Sequence, residues 1–315
     1  MSIHLPELLA RHQRLLVDGA LATELEARGC HLNDPLWSAK VLLEQPELIE
    51  AVHYDYFAAG ADIGISASYQ ASIAGFVTRG YSAEQALELI KLSVKLLDQA
   101  RQRYWQSLNA SEQAQRPRPL VAGSVGPYGA MLADGSEYRG QYGVDEATLM
   151  DFHRPRIQAL LAAGADLLAC ETLPSLSEAL ALAKLLAREF ATAEAWISFS
   201  CRDGLHTCEG QLLRDAVQTL EPYPQIIAVG INCSAPEFIP SLLQSVAGHT
   251  SKALLVYPNS GEHYDPQQKC WHGQGDTLSF AQQAEQWQQL GAQLIGGCCR
   301  TGPADIAALA KMSPG

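Results

Sequence analysis

Two stretches of the chain hold thiols where they could do chemistry. Gly296-Gly297-Cys298-Cys299-Arg300 closes one apolar run, and Gly230-Ile231-Asn232-Cys233 closes another. Soft sulfur ligands favour Zn²⁺ at about 2.3 Å, and three protein ligands leave the fourth tetrahedral position open for a substrate. Cys233, Cys298 and Cys299 are therefore candidate ligands of one Zn²⁺ ion. Neighbouring residues of a regular strand point to opposite faces, so both thiols of the pair reach one metal only if the chain leaves extended geometry at Cys298 or Cys299. The glycines ahead of them would let the backbone approach a metal or substrate closely. Taken alone, the pair also fits a redox couple or buried apolar thiols. Cys30 and Cys170 read as small core hydrophobes. Cys201, His206 and Cys208, and likewise His263, Cys270 and His272, have no familiar zinc spacing and read as loop residues.

Two carboxylates, Asp18 and Glu171, close apolar runs of their own. Such a group either anchors a loop or binds substrate, and Asp18 before Gly19 could also simply shape a turn. His153, Arg154 and Arg156 read as a solvated or packing face of a helix.

Something must bring these groups together. Eight apolar runs bounded by turn residues read as strands covered on both faces: 15–18, 62–66, 120–124, 166–172, 195–200, 226–233, 253–259 and 293–299. Segments of helical period lie between them, and Ala-Gly-Ala-Asp at 59–62 and 163–166 repeats the passage from helix to strand. Ser82 with Gln85, Ser175 with Glu178 and Ser234 with Glu237 have the spacing of capping boxes. Pro155 predicts a late start or a kink in the helix it interrupts. The run ends carry Asp18, Ser124, Glu171, Cys233, Asn259 and Cys298-Cys299. In an open sheet with strands about 4.8 Å apart the outermost of these could not share a ligand, whereas a barrel gathers them at one mouth. The expected fold is α/β, a single (βα)8 TIM barrel made of one domain, 1–315. The segment 109–119 reads as a polar loop. The stretch from Gly126 to Asp145, with five glycines, reads as a candidate lid.

Composition bounds the function. The 315 residues are 47% hydrophobic and carry a formal net charge of −12, which argues against nucleic-acid or anionic-membrane surfaces and against disorder. No apolar run approaches the roughly 20 residues of a membrane span, and no signal peptide is expected. Eight cysteines are too few for a disulfide scaffold, so a cytoplasmic protein with free thiols is expected.

These motifs, in this order, resemble the homocysteine S-methyltransferase family, and most closely its bacterial members that use S-methylmethionine. The resemblance rests on Asp18-Gly19-Ala20 followed by Thr23-Glu24-Leu25, on the run from Gly123 to Gly129, and on Glu171-Thr172-Leu173-Pro174. It continues through the two cysteine motifs and the run from Tyr257 to Glu262, and so spans nearly the whole chain. It implies that Cys233, Cys298 and Cys299 hold Zn²⁺ and that Glu171 and Asp18 hold the amino group of homocysteine. The acceptor's carboxylate would then meet backbone amides near Gly19 and Ala20. The long C-terminal extension of the betaine-using relatives is not seen, which favours a monomer.

The implied chemistry is methyl transfer from a sulfonium donor, S-methylmethionine or S-adenosylmethionine, to a homocysteine thiolate that zinc supplies without a general base. Tyr69, Tyr128 and Tyr264 are candidates for aromatic faces against the donor, although each also reads as a loop tyrosine packing its own segment. The competing readings are a homocysteine- or zinc-binding barrel without catalysis, a methyltransferase using betaine or methylfolate, and a barrel lyase or hydrolase using Glu171 as acid or base.

Overall fold

A computed structural model describes residues 4–30, 38–261, 263–265, 270–272 and 278–312; for 38–40, 263–265 and 270–272 it describes the backbone alone. Each of the eight apolar runs forms a strand. In chain order these are β1 (Leu15–Leu16), β2 (Ile63–Ile65), β3 (Leu120–Val125), β4 (Leu167–Leu173), β5 (Ala195–Phe199), β6 (Ile226–Asn232) and β7 (Ala253–Tyr257). A short antiparallel pair follows, β8 (His263–Asp265) with β9 (Cys270–His272), and then the last barrel strand, β10 (Ala292–Ile295). The parallel sheet runs β1-β10-β7-β6-β5-β4-β3-β2, and the bridge between Val17 and Ile63 joins its two ends. With helices between the strands this is the expected (βα)8 barrel.

Strand periodicity fills its two layers. Leu15, Val17, Leu120, Ala122, Leu167, Ala169, Trp196, Ala228, Leu255 and Leu294 point into the barrel and pack on one another. Their neighbours Leu16, Val121, Leu168, Cys170, Ile197, Val229, Val256 and Ile295 face the helices. Cys30 and Cys170 belong to that outer core, as small buried hydrophobes. The helix Leu5–Arg11 presses Leu5 and Leu8 onto the interior cluster, and its Leu5 amide donates to Glu194 just ahead of β5. The N-terminal ends of the strands are thereby stoppered.

The Ala-Gly-Ala-Asp repeat has a mechanical meaning at that closed end. Gly60 and Gly164 adopt left-handed φ of 118° and 96°, which turns the chain from helix to strand. The aspartates that follow then clasp the neighbouring strand. Asp62 accepts from the Leu16 amide at 2.9 Å and pairs with Arg116 at 3.0 Å. Asp166 accepts from the Val121 amide at 2.8 Å and pairs with Arg101 at 2.5 Å.

Several local expectations need correction. Ser82 and Gln85 form a complete capping box, whereas at Ser175 only the hydroxyl caps, because Glu178 turns inward to other partners. No helix begins at Ser234; its hydroxyl accepts from the Cys201 amide and donates to the Asn232 carbonyl. The helix Glu146–Ala162 starts on time, capped by Asp145, and runs through Pro155; the carbonyl left without its partner belongs to Asp151, on the exposed face. The segment 109–119 is not all loop, since Asn109 and Glu112 box the start of a helix at Ala110–Gln115. Among the described residues no helix is long and apolar enough to cross a membrane.

Candidate functional site

The open end of the barrel gathers the thiols. The Sγ atoms of Cys233, Cys298 and Cys299 all lie within 4.8 Å of one another, with Cys233 and Cys299 at 3.7 Å. Ligands at about 2.3 Å from a tetrahedral zinc stand roughly 3.8 Å apart, so three thiolates in this arrangement suit such an ion. Hydrogen bonds from Cys298 and Cys299 hold the Cys233 thiol well below its ordinary pKa.

The backbone bends to permit this. β10 ends at Ile295, and the carbonyl of Cys298 accepts from the Thr301 amide at 3.1 Å, closing a turn in which Arg300 has φ of 68°. The chain thus leaves extended geometry at the cysteine pair. Cys233 leaves it too, with φ of 48° directly after β6. The two glycines let neighbouring chain pack against this turn. A Cβ on Gly296 would stand 2.7 Å from Val17, and one on Gly297 2.1 Å from the Thr301 hydroxyl.

Beneath the thiols lies a polar layer that continues the inward parity of the strands. Glu171, two residues beyond Ala169, is only 7% exposed; its carboxylate accepts from Ser124 and, at 3.1 Å, from the Tyr257 hydroxyl. Tyr257 in turn accepts from the Trp196 indole at 3.1 Å and from Ser198 at 2.7 Å. Burial pushes the Glu171 carboxyl up to about 7. Asp18, 4% exposed, accepts from the Ile65 amide at 2.8 Å; burial raises it well above the carboxylate range, and the charge of Glu171 adds to the rise. Two buried carboxyls so raised form a site waiting for a cation.

The other sequence candidates fall on both sides of the line. Gly19 packs against Tyr56, since a Cβ there would be 2.9 Å from its ring. The Ala20 amide already donates to the Thr301 carbonyl at 3.0 Å, so it has no hydrogen left for a ligand. Burial raises the Tyr69 phenol, with Glu137, Cys233 and Glu171 adding to the rise, which sets its hydroxyl among those groups. Tyr128 is drawn outward instead, its ring 5.0 Å from Phe152 and 5.4 Å from Tyr142. The side chain of Tyr264 lies outside the described residues, as do those of His263, Cys270 and His272.

Three features escaped the reading of the sequence. Tyr138, in the Gly126 to Asp145 stretch, brings its hydroxyl to 3.3 Å from Cys233 Sγ. His153 and Arg156 are buried, contrary to the solvated face read for them, and only Arg154 is on the surface. Arg156 donates to the carbonyls of Gly126 at 2.6 Å and Tyr69 at 3.2 Å, and to His153 Nδ1 at 2.8 Å. That fixes the imidazole proton on Nε2, which donates to Glu178 at 2.9 Å, and Glu178 also accepts from the Tyr128 amide at 2.6 Å. This buried chain of charges ties the loops after β2 and β3 to two helices.

The third is Asn232. Thr172, a β-branched residue with φ of 59°, holds that conformation because Asn232 accepts from its amide at 2.8 Å and donates to its hydroxyl at 2.7 Å. Asn232→Ala would strand both groups in the interior. We expect it to destabilise the metal-free protein by about 2–3 kcal/mol. Urea unfolding should show a lower midpoint at unchanged slope, and a midpoint equal to wild type would show that Thr172 needs no such clamp.

A barrel whose open end gathers three thiols that could hold a metal ion, with buried carboxyls nearby, is arranged as an enzyme site. Comparison with known proteins gives the family. Residues 15–313 match the family model described as Homocysteine S-methyltransferase. The chain is 56% identical over 307 residues to the Homocysteine S-methyltransferase of Escherichia coli (strain K12), covering 97% of each chain. It is 52% identical over 303 residues to Homocysteine S-methyltransferase YbgG of Bacillus subtilis (strain 168), covering 96% of this chain and 95% of the relative. The metallated crystal form of the Escherichia coli homocysteine methyltransferase MmuM superposes with a TM-score of 0.87 at 53% identity, over 98% of this chain and 99% of that one. The chain belongs to the homocysteine S-methyltransferase family of enzymes.

Proposed function

We propose that this single-domain protein transfers a methyl group from a sulfonium donor, S-methylmethionine, to the sulfur of L-homocysteine, with one Zn²⁺ held by Cys233, Cys298 and Cys299. The observation that carries this reading is the convergence of three thiols above a buried pair of carboxyls. The metallated form of the Escherichia coli relative supports a metal at these thiols. When bound, zinc would supply a Lewis acid that favours the nucleophilic thiolate of a thiol whose ordinary pKa is about 8.5.

The chain's own residues do the rest. Glu171 and Asp18 take the acceptor's ammonium group, which returns both to the ionised state. The hydroxyls of Ser124 and Tyr257 orient Glu171 and leave its remaining lone pairs to the ligand. With the Ala20 amide occupied, the amino acid's carboxylate has Gly19 and the uncapped first turn of the helix Leu21–Ala27 to meet. A lone pair of the acceptor sulfur forms the new carbon–sulfur bond as the methyl–sulfonium bond breaks. The electron pair goes to the donor sulfur, which departs as a neutral thioether, so no general acid is required. Tyr69 faces the donor, and the stretch from Gly126 to Asp145 keeps water away from both sulfurs.

The test is methionine formation by zinc-loaded protein given homocysteine with S-methylmethionine, S-adenosylmethionine, betaine or methyltetrahydrofolate in parallel. Turnover with a sulfonium, abolished by chelation and restored by zinc, is the expected result. Activity that survives complete metal removal would overturn the reading.

A further inference from the structure

We propose that Glu137 binds the donor, accepting a hydrogen bond from the α-ammonium group of an amino-acid sulfonium and so selecting donors that carry one. The assignment rests on the sulfonium reading above and adds to it the residue that recognises the donor's amino-acid end.

The short 3-10 turn Ser136–Tyr138 is brought to the thiols, as the 3.3 Å approach of the Tyr138 hydroxyl to Cys233 shows. One residue earlier stands Glu137, whose Oε2 is buried and has no hydrogen-bond partner among the described residues. A buried carboxylate oxygen left in that state is costly, and a ligand that donates to it removes the cost. The local charges make the need sharper. Burial raises the Glu137 carboxyl, and Cys233 and Asp134 add to the rise; its own backbone amide offsets part of this, and Arg139, 65% exposed and engaged with Asp134, a smaller part.

The turn is also firmly held. The Ser136 carbonyl accepts from the Gly140 amide at 2.9 Å, and Ser200 donates to the Glu137 carbonyl at 3.4 Å. Gly129 packs so closely beneath that a Cβ there would stand 2.5 Å from the Glu137 nitrogen. Such a carboxylate is presented in a fixed place, not trailing in solvent.

It is separate from the acceptor's carboxylates. The Glu171 carboxylate is met by Ser124 and Tyr257 and that of Asp18 by the Ile65 amide, and none of these groups reaches Glu137 Oε2. The reaction needs two amino acids face to face across the thiols, and each brings an ammonium group. Glu171 with Asp18 serves one, and Glu137 serves the other. A carboxylate set directly against the sulfonium would stabilise a charge that vanishes in the transition state, and so would slow the step. The orphan oxygen calls instead for an N–H, which neither a sulfonium nor a quaternary ammonium can supply.

The experiment compares S-methylmethionine with its deamino analogue, 4-(dimethylsulfonio)butanoate, for the wild-type enzyme and for Glu137→Gln and Glu137→Asp, all zinc-loaded. With S-methylmethionine, Glu137→Gln should lose roughly 10- to 100-fold in kcat/KM, mostly through the donor KM. With the deamino analogue the two enzymes should be nearly equal, and the KM for homocysteine and the zinc content should not change. Glu137→Asp should recover part of the loss. An equal loss with both donors, a shift in the homocysteine KM, or no loss at all would overturn the assignment while leaving the sulfonium reading intact. A wild-type enzyme inactive with S-methylmethionine would overturn both.

Discussion

Cys299→Ser will leave the protein folded but nearly free of metal, and its methyl transfer will fall by more than about 100-fold, the loss that changing even a residue that only hydrogen-bonds to a metal's ligand can cause. A serine hydroxyl is not ionised at neutral pH and is a poor ligand for a soft site, so the remaining pair, Cys233 and Cys298, is left with two thiolates where zinc wants three. The effect should be specific. Cys298→Ser should behave in the same way, because both members of the pair turn toward Cys233. Cys170→Ser, a change in the outer core, should cost stability and keep the metal. The measurement is zinc per chain after dialysis, followed by turnover at saturating homocysteine. A Cys299→Ser protein with a full zinc complement and undiminished turnover would end the three-thiolate assignment.

Glu171→Gln will cost roughly 100-fold in kcat/KM for homocysteine, about 3 kcal/mol, if Glu171 meets the acceptor's ammonium as proposed, because the change removes that buried charge. The donor's KM should change little. The pH dependence identifies the group independently. With its carboxyl pushed up to about 7 in the empty site, Glu171 is protonated below neutrality and offers the ammonium a neutral acid. In the wild-type enzyme kcat/KM for homocysteine should therefore fall about tenfold per unit as pH drops below that value, and be level above it. In Glu171→Gln that acid limb should flatten. A limb that persists unchanged in the variant would assign it to another group.

Much of this could be read in the sequence because parity and punctuation are local. The eight strands stand out as apolar runs buried on both faces, and the bend at Cys298 and Cys299 follows from asking two adjacent side chains to reach one point. Glu171 was visible as an acid closing such a run. Ser124 stands out in the same way at the end of its run, and Tyr257 could have been found by the same reasoning, since each lies two residues beyond an inward apolar neighbour, Ala122 and Leu255. What stayed hidden depends on distant parts of the chain. His153 and Arg156 share a turn with Arg154 and look like its equals until the loop from Gly126 folds over them. Tyr138 and Glu137 lie in a glycine-rich stretch whose path is set by packing against β5 and Gly129, and nothing in their immediate neighbours announces it. The glycines before the cysteine pair are legible as points of close approach, but that Val17 and Thr301 pack against them depends on distant parts of the chain.

The helix that stoppers the barrel has a consequence for traffic. With Leu5 and Leu8 packed on the filled interior, the barrel is closed at that end, and its polar layer faces the end where the thiols gather. Glu171 is buried and Glu137 less so, and if they hold acceptor and donor as proposed, the donor would lie nearer to solvent than the acceptor. Under those assignments the acceptor would have to enter ahead of the donor, and the methylated acceptor would wait for the spent donor to leave.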